Sequence, residues 1–451
     1  MELRPYQRED VELIKSKKCL GIFNEQRTGK TPTVCVALKE MGINKYIVVC
    51  PNTLLFMWKP AIELWTGITP IVYQRPKDLE LWKSSDVPLI VGYERLRGSY
   101  KKECPILSYL RNRKVGAVVL DEAHYIRNHS SRTHKACNFL GRRTSVRLAI
   151  TGTPAYGTPQ DIWAVLNWIQ PGVLDTYYNF CKTYFTQETV YTRQGTRIEQ
   201  PTTTYRPGRA VILARITAAL SVQRKRKEVM DWVTDLDPTV IKLAPSMLQK
   251  KVINNLEKYF EYEDIVTVNL LDTMQKIRQV CADPMLLNLT GVSPKTDTLV
   301  SYLKENPDKS VVIFSLSTKY INLLTNIFTK YNIISAHITG DTPVEQRMQY
   351  VQDFQEGTLK VLLIQTLCGK EGITLDTADT AIFVDNYPPA GIYEQAKDRL
   401  IATNPDRLKP QEMIHIMLEG TYDERLFHLV ASNIKETEVL NDYHKYITQR
   451  S

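Results

Sequence analysis

Asn24-Glu25-Gln26-Arg27-Thr28-Gly29-Lys30-Thr31 is the stretch around which this sequence of 451 residues is organised. The apolar run before it, residues 20–23, is typical of a buried strand, and residues 33–38 after it can form a helix. A strand, a loop ending in Gly-Lys-Thr and a helix together predict a phosphate-binding loop, because backbone N–H groups at a helix start face an anion. Asn24 stands where the usual spacing has its first glycine, so an ordinary strand-to-helix loop is the alternative.

An acidic pair follows a second apolar run. Residues 115–120 predict a buried strand, and Asp121-Glu122-Ala123-His124 comes directly after it. Carboxylates at the C-terminal end of a parallel strand can hold magnesium and orient a water. We therefore expect Asp121 and the Thr31 hydroxyl to hold Mg²⁺, and Glu122 to polarise an attacking water. A capped helix start is the alternative, because aspartate is a good N-cap.

Composition narrows the class of protein. The length predicts two to four domains, and 43% hydrophobic residues support large buried cores. A net charge of +9 favours an anionic partner such as nucleic acid. The eight cysteines include no Cys-x-x-Cys pair, so neither a zinc site nor a disulfide framework is indicated. No leader and no apolar run long enough to cross a bilayer is present, so we expect a cytoplasmic protein.

Predicted strands and helices alternate along the chain. The strands of the first half are predicted at 45–51, 87–96, 115–120 and 146–154, and those of the second half at 310–315, 361–366 and 381–385. This alternation indicates an α/β protein with parallel, doubly wound sheets. Strand ends rich in Thr, Gly and Pro lie where such sheets bind ligands.

Taken together, the motifs resemble the Swi/Snf-type branch of superfamily-two helicases and translocases. The similarity extends over roughly residues 3 to 430, and it is carried by Asp-Glu-Ala-His at 121–124, Thr-Gly-Thr-Pro at 151–154, the runs 221–229 and 278–284, His-Ile-Thr-Gly at 337–340, Gln-Ala-Lys-Asp-Arg at 395–399 and Thr-Tyr-Asp-Glu-Arg at 421–425. The resemblance implies two RecA-like lobes in tandem with a helical linker and a β-hairpin insertion. The expected boundaries are 1–174 for the first lobe, 175–240 for the insertion and the return to that lobe, 241–293 for the linker, and 294–451 for the second lobe with its C-terminal helices.

The resemblance also implies an ATP-dependent DNA motor with ATP in the cleft between the lobes. Lys30 would hold the β- and γ-phosphates, and Gln7 the adenine, because its amide both donates and accepts. Arg399 would complete the site as an arginine finger. Ala402 stands where the branch usually has a second finger, so Arg407 is an alternative. The expected nucleotide-binding residues are Gln7, Arg27, Thr28, Gly29, Lys30, Thr31, Gly372 and Arg399; the expected DNA-binding residues are Thr53, Arg95, Ser315, Gly340 and Thr366.

Residues 175–215 interrupt the strand–helix alternation. Aromatic residues cluster at 177–185, and residues 189–199 alternate around Gln194-Gly195, which predicts a β-hairpin. Arg193 and Arg197 on a projecting ribbon would suit the DNA backbone, and nearby tyrosines would suit base stacking. The alternative is a solvated hairpin that only supports the lobe.

The compact size and the Arg-Thr-Gly-Lys-Thr variant look like phage-encoded members of the branch. The resemblance then implies a branch-migration helicase that acts on forks and four-way junctions with other replication, recombination or repair proteins, in the cytoplasm of a host cell. Three alternatives stay open: a duplex translocase that remodels protein–DNA complexes without separating strands, an RNA helicase, and a non-catalytic DNA-binding protein.

Overall fold

The computed structural model describes residues 2–98, 104–155, 157–191, 197–230, 238–366, 368, 373–385, 396–400, 411–431 and 442–443. The chain divides into two compact units, 1–231 and 232–451. Each unit is built on a parallel sheet between helices, which confirms the predicted fold class. Among the helices of these described ranges, none combines the length and apolarity that a bilayer crossing requires.

The first unit contains a seven-stranded parallel sheet in the spatial order β3-β4-β2-β5-β6-β1-β9. Its strands and those of a separate hairpin (β7 and β8) are β1 Cys19–Ile22, β2 Tyr46–Cys50, β3 Ile71–Val72, β4 Leu89–Gly92, β5 Ala117–Asp121, β6 Arg147–Ile150, β7 Phe185–Tyr191, β8 Arg197–Tyr205 and β9 Ser221–Val222. Residues 87–96 were predicted as one strand. The structure instead ends β4 at Gly92 and begins a helical turn at Tyr93.

Helices cover both faces of this sheet. They are α1 Pro5–Lys17, α2 Lys30–Glu40, α3 Leu55–Thr66, α4 Pro76–Lys83, α5 Tyr93–Leu96, α6 Pro105–Tyr109, α7 Arg132–Gly141, α8 Ile162–Ile169, α9 Tyr177–Tyr184, α10 Arg209–Leu220 and α11 Arg226–Val229. Successive side chains of β5 enter opposite cores, Val118 and Leu120 one of them and Ala117 and Val119 the other. A sheet buried on both faces explains why its strands read as continuous apolar runs.

The predicted hairpin is present as the antiparallel pair β7–β8. Its tip, including Arg193 and the Gln194-Gly195 turn, lies outside the described residues. Three residues of the neighbouring aromatic cluster, Phe180, Tyr184 and Phe185, belong to the buried core of the first unit, and burial does not favour base stacking by them. Tyr178 is the member of the cluster that is exposed.

The second unit contains a six-stranded parallel sheet in the order β10-β17-β16-β13-β15-β14, and a small antiparallel pair, β11–β12. The strands are β10 Thr239–Leu243, β11 Glu261–Tyr262, β12 Ile265–Val266, β13 Val311–Ser315, β14 Ser335–Ile338, β15 Val361–Gln365, β16 Thr380–Phe383 and β17 Glu412–Leu418. The helices are α12 Met247–Tyr259, α13 Leu270–Ala282, α14 Pro294–Glu305, α15 Thr318–Lys330, α16 Val344–Glu356 and α17 Tyr422–Ala431. A shared hydrophobic cluster joins α12 and α13 to α17.

Candidate active site

The carboxyl edge of the first sheet gathers the predicted catalytic segments. Strand β6 lies between β1 and β5, and all three are parallel. The loop after β1 and the acidic pair at the end of β5 therefore emerge at the same edge, where open parallel sheets bind ligands. Gly152, just after β6, lies against Gln26 of the loop.

Two side chains of helix α1 donate hydrogen bonds to backbone carbonyls of the phosphate loop. Tyr6 Oη donates to Thr28 O at 2.8 Å, and Gln7 Nε2 donates to Gly29 O at 3.1 Å. Gly29 has φ 73°, and a Cβ there would collide with Gln7 Nε2. A glycine is therefore required at this position for both its backbone angle and the approach of α1.

Arg27 also has a left-handed backbone, with φ 66°. This explains why a glycine is usual at this position in the family resembled above, since glycine adopts that angle without penalty. A non-glycine residue there costs on the order of 1–3 kcal/mol, and such strain clusters at functional sites. Arg27 thus keeps a guanidinium in the phosphate loop at a cost in stability.

Lys30 is the first residue of α2, and its side chain reaches back across the loop to the residues where the loop begins. Lys30 Nζ donates to Asn24 O and to Glu25 O, both at 2.9 Å. The helix start adds its dipole to the lysine charge, which together favour an anion. Asn24 is buried, and its Nδ2 donates to Asp10 Oδ2 at 2.8 Å, which accounts for an asparagine at the position of the usual first glycine.

Asp121 is held by two donors. Trp58 Nε1 donates to its Oδ2 at 2.7 Å, and the N–H of Glu122 donates to its Oδ1 at 3.0 Å. Burial is the main reason why the pKa of Asp121 is raised to about 6, and the charge of Glu122 raises it further. The Trp58 N–H and the Lys30 ammonium act in the opposite direction, so Lys30 lies close enough to influence this carboxylate.

Glu122 has φ 49°, a second strained backbone in the same site. Its Oε2 lies 3.2 Å from His124 Nδ1, which is 3.3 Å from Thr151 Oγ1. The side chain of Glu122 is partly exposed, so a water can reach it. This chain of contacts joins the acidic pair to the strand end of β6.

These residues fit magnesium and a nucleoside triphosphate. Among the described residues, no group of three His, Cys, Asp or Glu side chains could enclose a metal ion by itself. Mg²⁺ is usually held by one or two carboxylates together with substrate phosphates. The neighbouring carboxyl groups of Asp121 and Glu122 supply oxygen donors for such a shared ion, and the Lys30 ammonium nearby supplies a charge for the phosphates.

The sequence matches known families over most of its length. Residues 11–288 match the SNF2-related domain, and residues 294–402 match the helicase conserved C-terminal domain. The chain belongs to the SNF2-related family. Because the first match alone covers more than half of the chain, the predicted Swi/Snf-type relationship is confirmed.

Several relatives can be compared with this SNF2-related chain. It is 24% identical to the ISWI chromatin-remodeling complex ATPase ISW1 of Saccharomyces cerevisiae, over 96% of the chain and 40% of that protein. It is 22% identical to the human DNA repair and recombination protein RAD54B, over 94% of the chain and 53% of that protein. The chain spans about half the length of the curated relatives it matches.

One solved structure is the Sulfolobus solfataricus SWI2/SNF2 ATPase core in complex with dsDNA. It aligns with a TM-score of 0.46 and 20% identity, over 96% of this chain and 91% of that one.

The remaining predicted nucleotide residues of this SNF2-related chain are placed as follows. The amide of Gln7 is engaged at both ends, because Oε1 accepts from Arg4 N at 2.8 Å while Nε2 donates to the phosphate loop. The structure thus makes Gln7 a support of the loop, and its contact with adenine stays a prediction. Arg399 is partly buried in the second unit, where its carbonyl accepts from Leu375 N. Gly372 lies outside the described residues, as does Arg407.

The predicted DNA-binding residues divide by exposure. Arg95 and Arg197 are exposed, and Thr53 has a buried Oγ1 with no hydrogen-bond partner in the described structure. Ser315 is fully buried, with its Oγ donating to Asp385 Oδ2 at 2.6 Å, which leaves its side chain no surface for DNA.

Thr366 is also buried, whereas Gly340 is exposed and donates its N–H to Gln365 Oε1. Burial therefore does not favour direct contacts by Ser315 or Thr366. The two residues are joined by a hydrogen bond from Thr366 N to Ser315 O.

Sequence reasoning missed the aromatic residues around Asp121 and the ionic support of the loop. Trp58 and Tyr93 both bond to Asp121, and Arg224 bonds to Asp10 behind Asn24. Position was a signal for Trp58, which comes after the strand predicted at 45–51. Tyr93 gave no such signal, because it fell within the strand predicted at 87–96. Arg224 is 214 residues from Asp10, and no local pattern links them.

Proposed function

We propose that this chain is an ATP-driven DNA motor. The observation that carries the proposal is the meeting of Lys30, Asp121 and Glu122 at one edge of a sheet in an SNF2-related unit. The similarity to the yeast ISW1 protein, a chromatin-remodeling complex ATPase, supports the same reaction. A binding module would not need a residue with a strained backbone, Glu122, in an acidic pair beside a phosphate loop.

Each residue has a role that follows from its contacts. Lys30 would exchange the carbonyls of Asn24 and Glu25 for phosphate oxygens, which are stronger acceptors because they are charged. Thr31 and Asp121 would hold Mg²⁺, which when bound supplies positive charge against the phosphates. Glu122, fixed by His124, would orient a water and accept its proton. Arg399 is proposed to stabilise charge on the phosphoryl group that is transferred.

DNA is the proposed track. The net charge of +9 and the exposed Arg95 suit a phosphate backbone. Thr53 is only partly buried as a residue, but its Oγ1 is buried, so a contact with DNA would be made by another part of this segment. RAD54B is named as a DNA repair and recombination protein, which favours DNA over RNA.

We propose branched DNA, meaning forks and four-way junctions, as the preferred substrate. The β7–β8 hairpin, whose residues 197–200 are exposed, could act as an obstacle between separating strands. The second candidate is a duplex translocase that moves proteins on DNA without separating strands, which the name of the chromatin-remodeling relative favours.

One panel of substrates tests these proposals. ATP hydrolysis and strand separation are measured with single strand, duplex, fork, four-way junction and RNA, using Glu122→Gln as the control with slow hydrolysis. Stimulation of ATPase by DNA with strand separation at junctions is the expected result. Stimulation of ATPase by duplex DNA without any strand separation would support the translocase. Stronger stimulation by RNA would support an RNA helicase, and absence of ATPase activity would support a non-catalytic DNA-binding protein.

A hairpin variant tests the preference for branches. Replacing residues 193–197 by a Gly-Ser turn should leave DNA-stimulated ATPase within a few-fold of wild type while junction unwinding falls sharply. Arg215→Ser, at an equally exposed arginine on α10, is the matched control. Equal loss of both activities would assign the hairpin to the fold or to DNA loading, and no loss of either would make it a passive ribbon.

A further inference from the structure

Two buried aromatic side chains donate hydrogen bonds to Asp121. Trp58 Nε1 donates to the carboxylate at 2.7 Å, and Tyr93 Oη donates to the backbone carbonyl at 2.9 Å. Both side chains are almost fully buried, so neither can rotate to another partner without repacking the core. Asp121 is thus held at its side chain and at its main chain by residues from two other segments.

Those two segments also carry two of the residues proposed to touch DNA, the partly buried Thr53 and the exposed Arg95. Trp58 lies in the first turn of α3, which continues directly from the short 3₁₀ helix Asn52–Leu54 that contains Thr53. Tyr93 and Arg95 lie in the single turn of α5. Each aromatic donor is therefore joined to its DNA candidate by less than two turns of continuous helix.

The two segments are in direct contact with each other. Strands β2 and β4, which precede them, are neighbours in the sheet. The Asn52 side chain lies over Gly92, where even a Cβ would collide with its Oδ1. A displacement of one segment is consequently felt by the other, because packed elements transmit shifts as rigid bodies.

Satisfaction of buried polar groups does not by itself explain this arrangement. The buried Trp82 Nε1 donates to Val87 O at 2.8 Å, an ordinary loop carbonyl. The buried Tyr46 Oη has no hydrogen-bond partner among the described residues, so the unit tolerates an unsatisfied tyrosine hydroxyl. Trp58, by contrast, donates to an ionisable carboxyl group in the candidate active site, and such bonds are the stronger and more directional kind.

We propose that Trp58 and Tyr93 are positioning residues that transmit DNA binding from the Thr53 and Arg95 segments to the carboxylate of Asp121. The proposal rests on the proposed function as a DNA-stimulated ATPase. DNA that holds both segments would fix the two donors and with them the orientation of the carboxylate. Preorganised polar groups lower a reaction barrier because they need no rearrangement as the reaction proceeds.

The test compares two conservative variants with two matched controls. Trp58→Phe and Tyr93→Phe remove one donor each and keep an aromatic ring in the core. Trp82→Phe and Tyr46→Phe make the same changes at buried sites that do not touch Asp121. For each protein we would measure kcat with and without DNA, the DNA concentration for half-maximal stimulation and the Mg²⁺ concentration for half-maximal activity.

We expect Trp58→Phe to lower DNA-stimulated kcat by about tenfold, in line with loss of a hydrogen bond to a charged group. Its half-maximal Mg²⁺ concentration should rise, while its half-maximal DNA concentration stays near the wild-type value. Tyr93→Phe should change the same quantities in the same direction but less, because it donates to a neutral carbonyl. Both controls should match wild type.

Two results would overturn the inference while leaving the proposed function intact. One is a wild-type-like stimulation by DNA in both Trp58→Phe and Tyr93→Phe. The other is a weakening of DNA affinity that accounts for the whole loss, since it would assign the aromatic residues to the fold of the DNA-contacting segments. Absence of DNA stimulation in the wild-type protein would instead defeat the proposed function itself.

Discussion

Breaking the buried ion pair of the second unit should cost far more stability than breaking an exposed pair beside it. Lys295 Nζ lies 2.7 Å from Asp423 Oδ2, and the two side chains are 0% and 6% exposed. Lys295 also donates to Val384 O at 2.7 Å, and Asp423 accepts from Leu418 N at 2.9 Å. The pair therefore joins the start of α14 to the end of β16 and the start of α17.

Asp423→Asn removes the carboxylate in contact with the buried ammonium of Lys295 and leaves only the more distant charge of Asp385. Removal of one partner from a buried pair costs about 3–5 kcal/mol, because the remaining charge keeps its desolvation penalty. With a urea m-value of about 2–3 kcal/mol/M, the unfolding midpoint should fall by about 1–2.5 M. Lys295→Met with Asp423→Asn should recover most of that loss, because the double variant removes both charges of the pair.

Glu424→Gln is the matched control. Glu424 is the next residue along the helix, and its Oε1 also lies 2.7 Å from an ammonium, that of Lys242. This pair is 49% and 20% exposed, so water already screens it and the midpoint should move little.

Two optical signals followed during urea unfolding provide the assay. The first signal, far-UV circular dichroism, reports on both units. The second, tryptophan fluorescence, reports mainly on the first unit, because five of the six tryptophans lie within residues 1–231. Asp423→Asn should shift the circular dichroism transition. The reasoning is refuted if Asp423→Asn costs no more than Glu424→Gln, or if the double variant is less stable than either single one.

The remaining predictions concern the active site and one buried histidine. Lys30→Ala should abolish ATP hydrolysis in a folded protein, because the ammonium at the helix start is removed. Glu122→Gln should still bind ATP and magnesium but hydrolyse slowly, since the amide keeps the shape and loses the charge that accepts a proton. Arg399→Ala should lower kcat and change KM much less, as expected for a residue that acts on transition-state charge. His415 is stacked on Phe383, and burial lowers its pKa to about 4. Between pH 6.5 and 4 the histidine therefore takes up a proton in the unfolded protein but not in the folded one. The free energy of unfolding should be unaffected by His415 above pH 6.5 and should fall by about 3 kcal/mol between pH 6.5 and 4, as measured by urea titrations at several pH values.

Each of these predictions has a decisive control. Turnover near the wild-type rate in Lys30→Ala would remove that lysine from the site, and collapse of nucleotide binding in Glu122→Gln would make Glu122 structural. A raised KM with unchanged kcat in Arg399→Ala would contradict a role in the transition state. His415→Phe should lack the acid-induced loss, and a wild-type pH dependence in that variant would show that other groups cause it.

The local signals in the sequence were sufficient for the two parallel sheets, for the strand, loop and helix around residues 20–40, and for the acidic pair at the end of a strand. Strands buried on both faces appear as continuous apolar runs, and a helix that starts at Lys30 after a Gly-Lys-Thr signal is a short-range feature. The β7–β8 hairpin was also predicted from local alternation. Boundaries were less accurate, as at Tyr93, where the strand pattern continues into a helical turn.

Only the tertiary structure decided which side chains support the site and which are available to a ligand. The bonds of Trp58 and Tyr93 to Asp121 join segments 63 and 28 residues apart, so they depend on the order of strands in the sheet. The burial of Ser315 likewise depends on packing in the second unit. Spacing along a chain predicts which residue types occur at a strand end, but the hydrogen-bond partner and the exposure of each side chain are properties of the packed sheet.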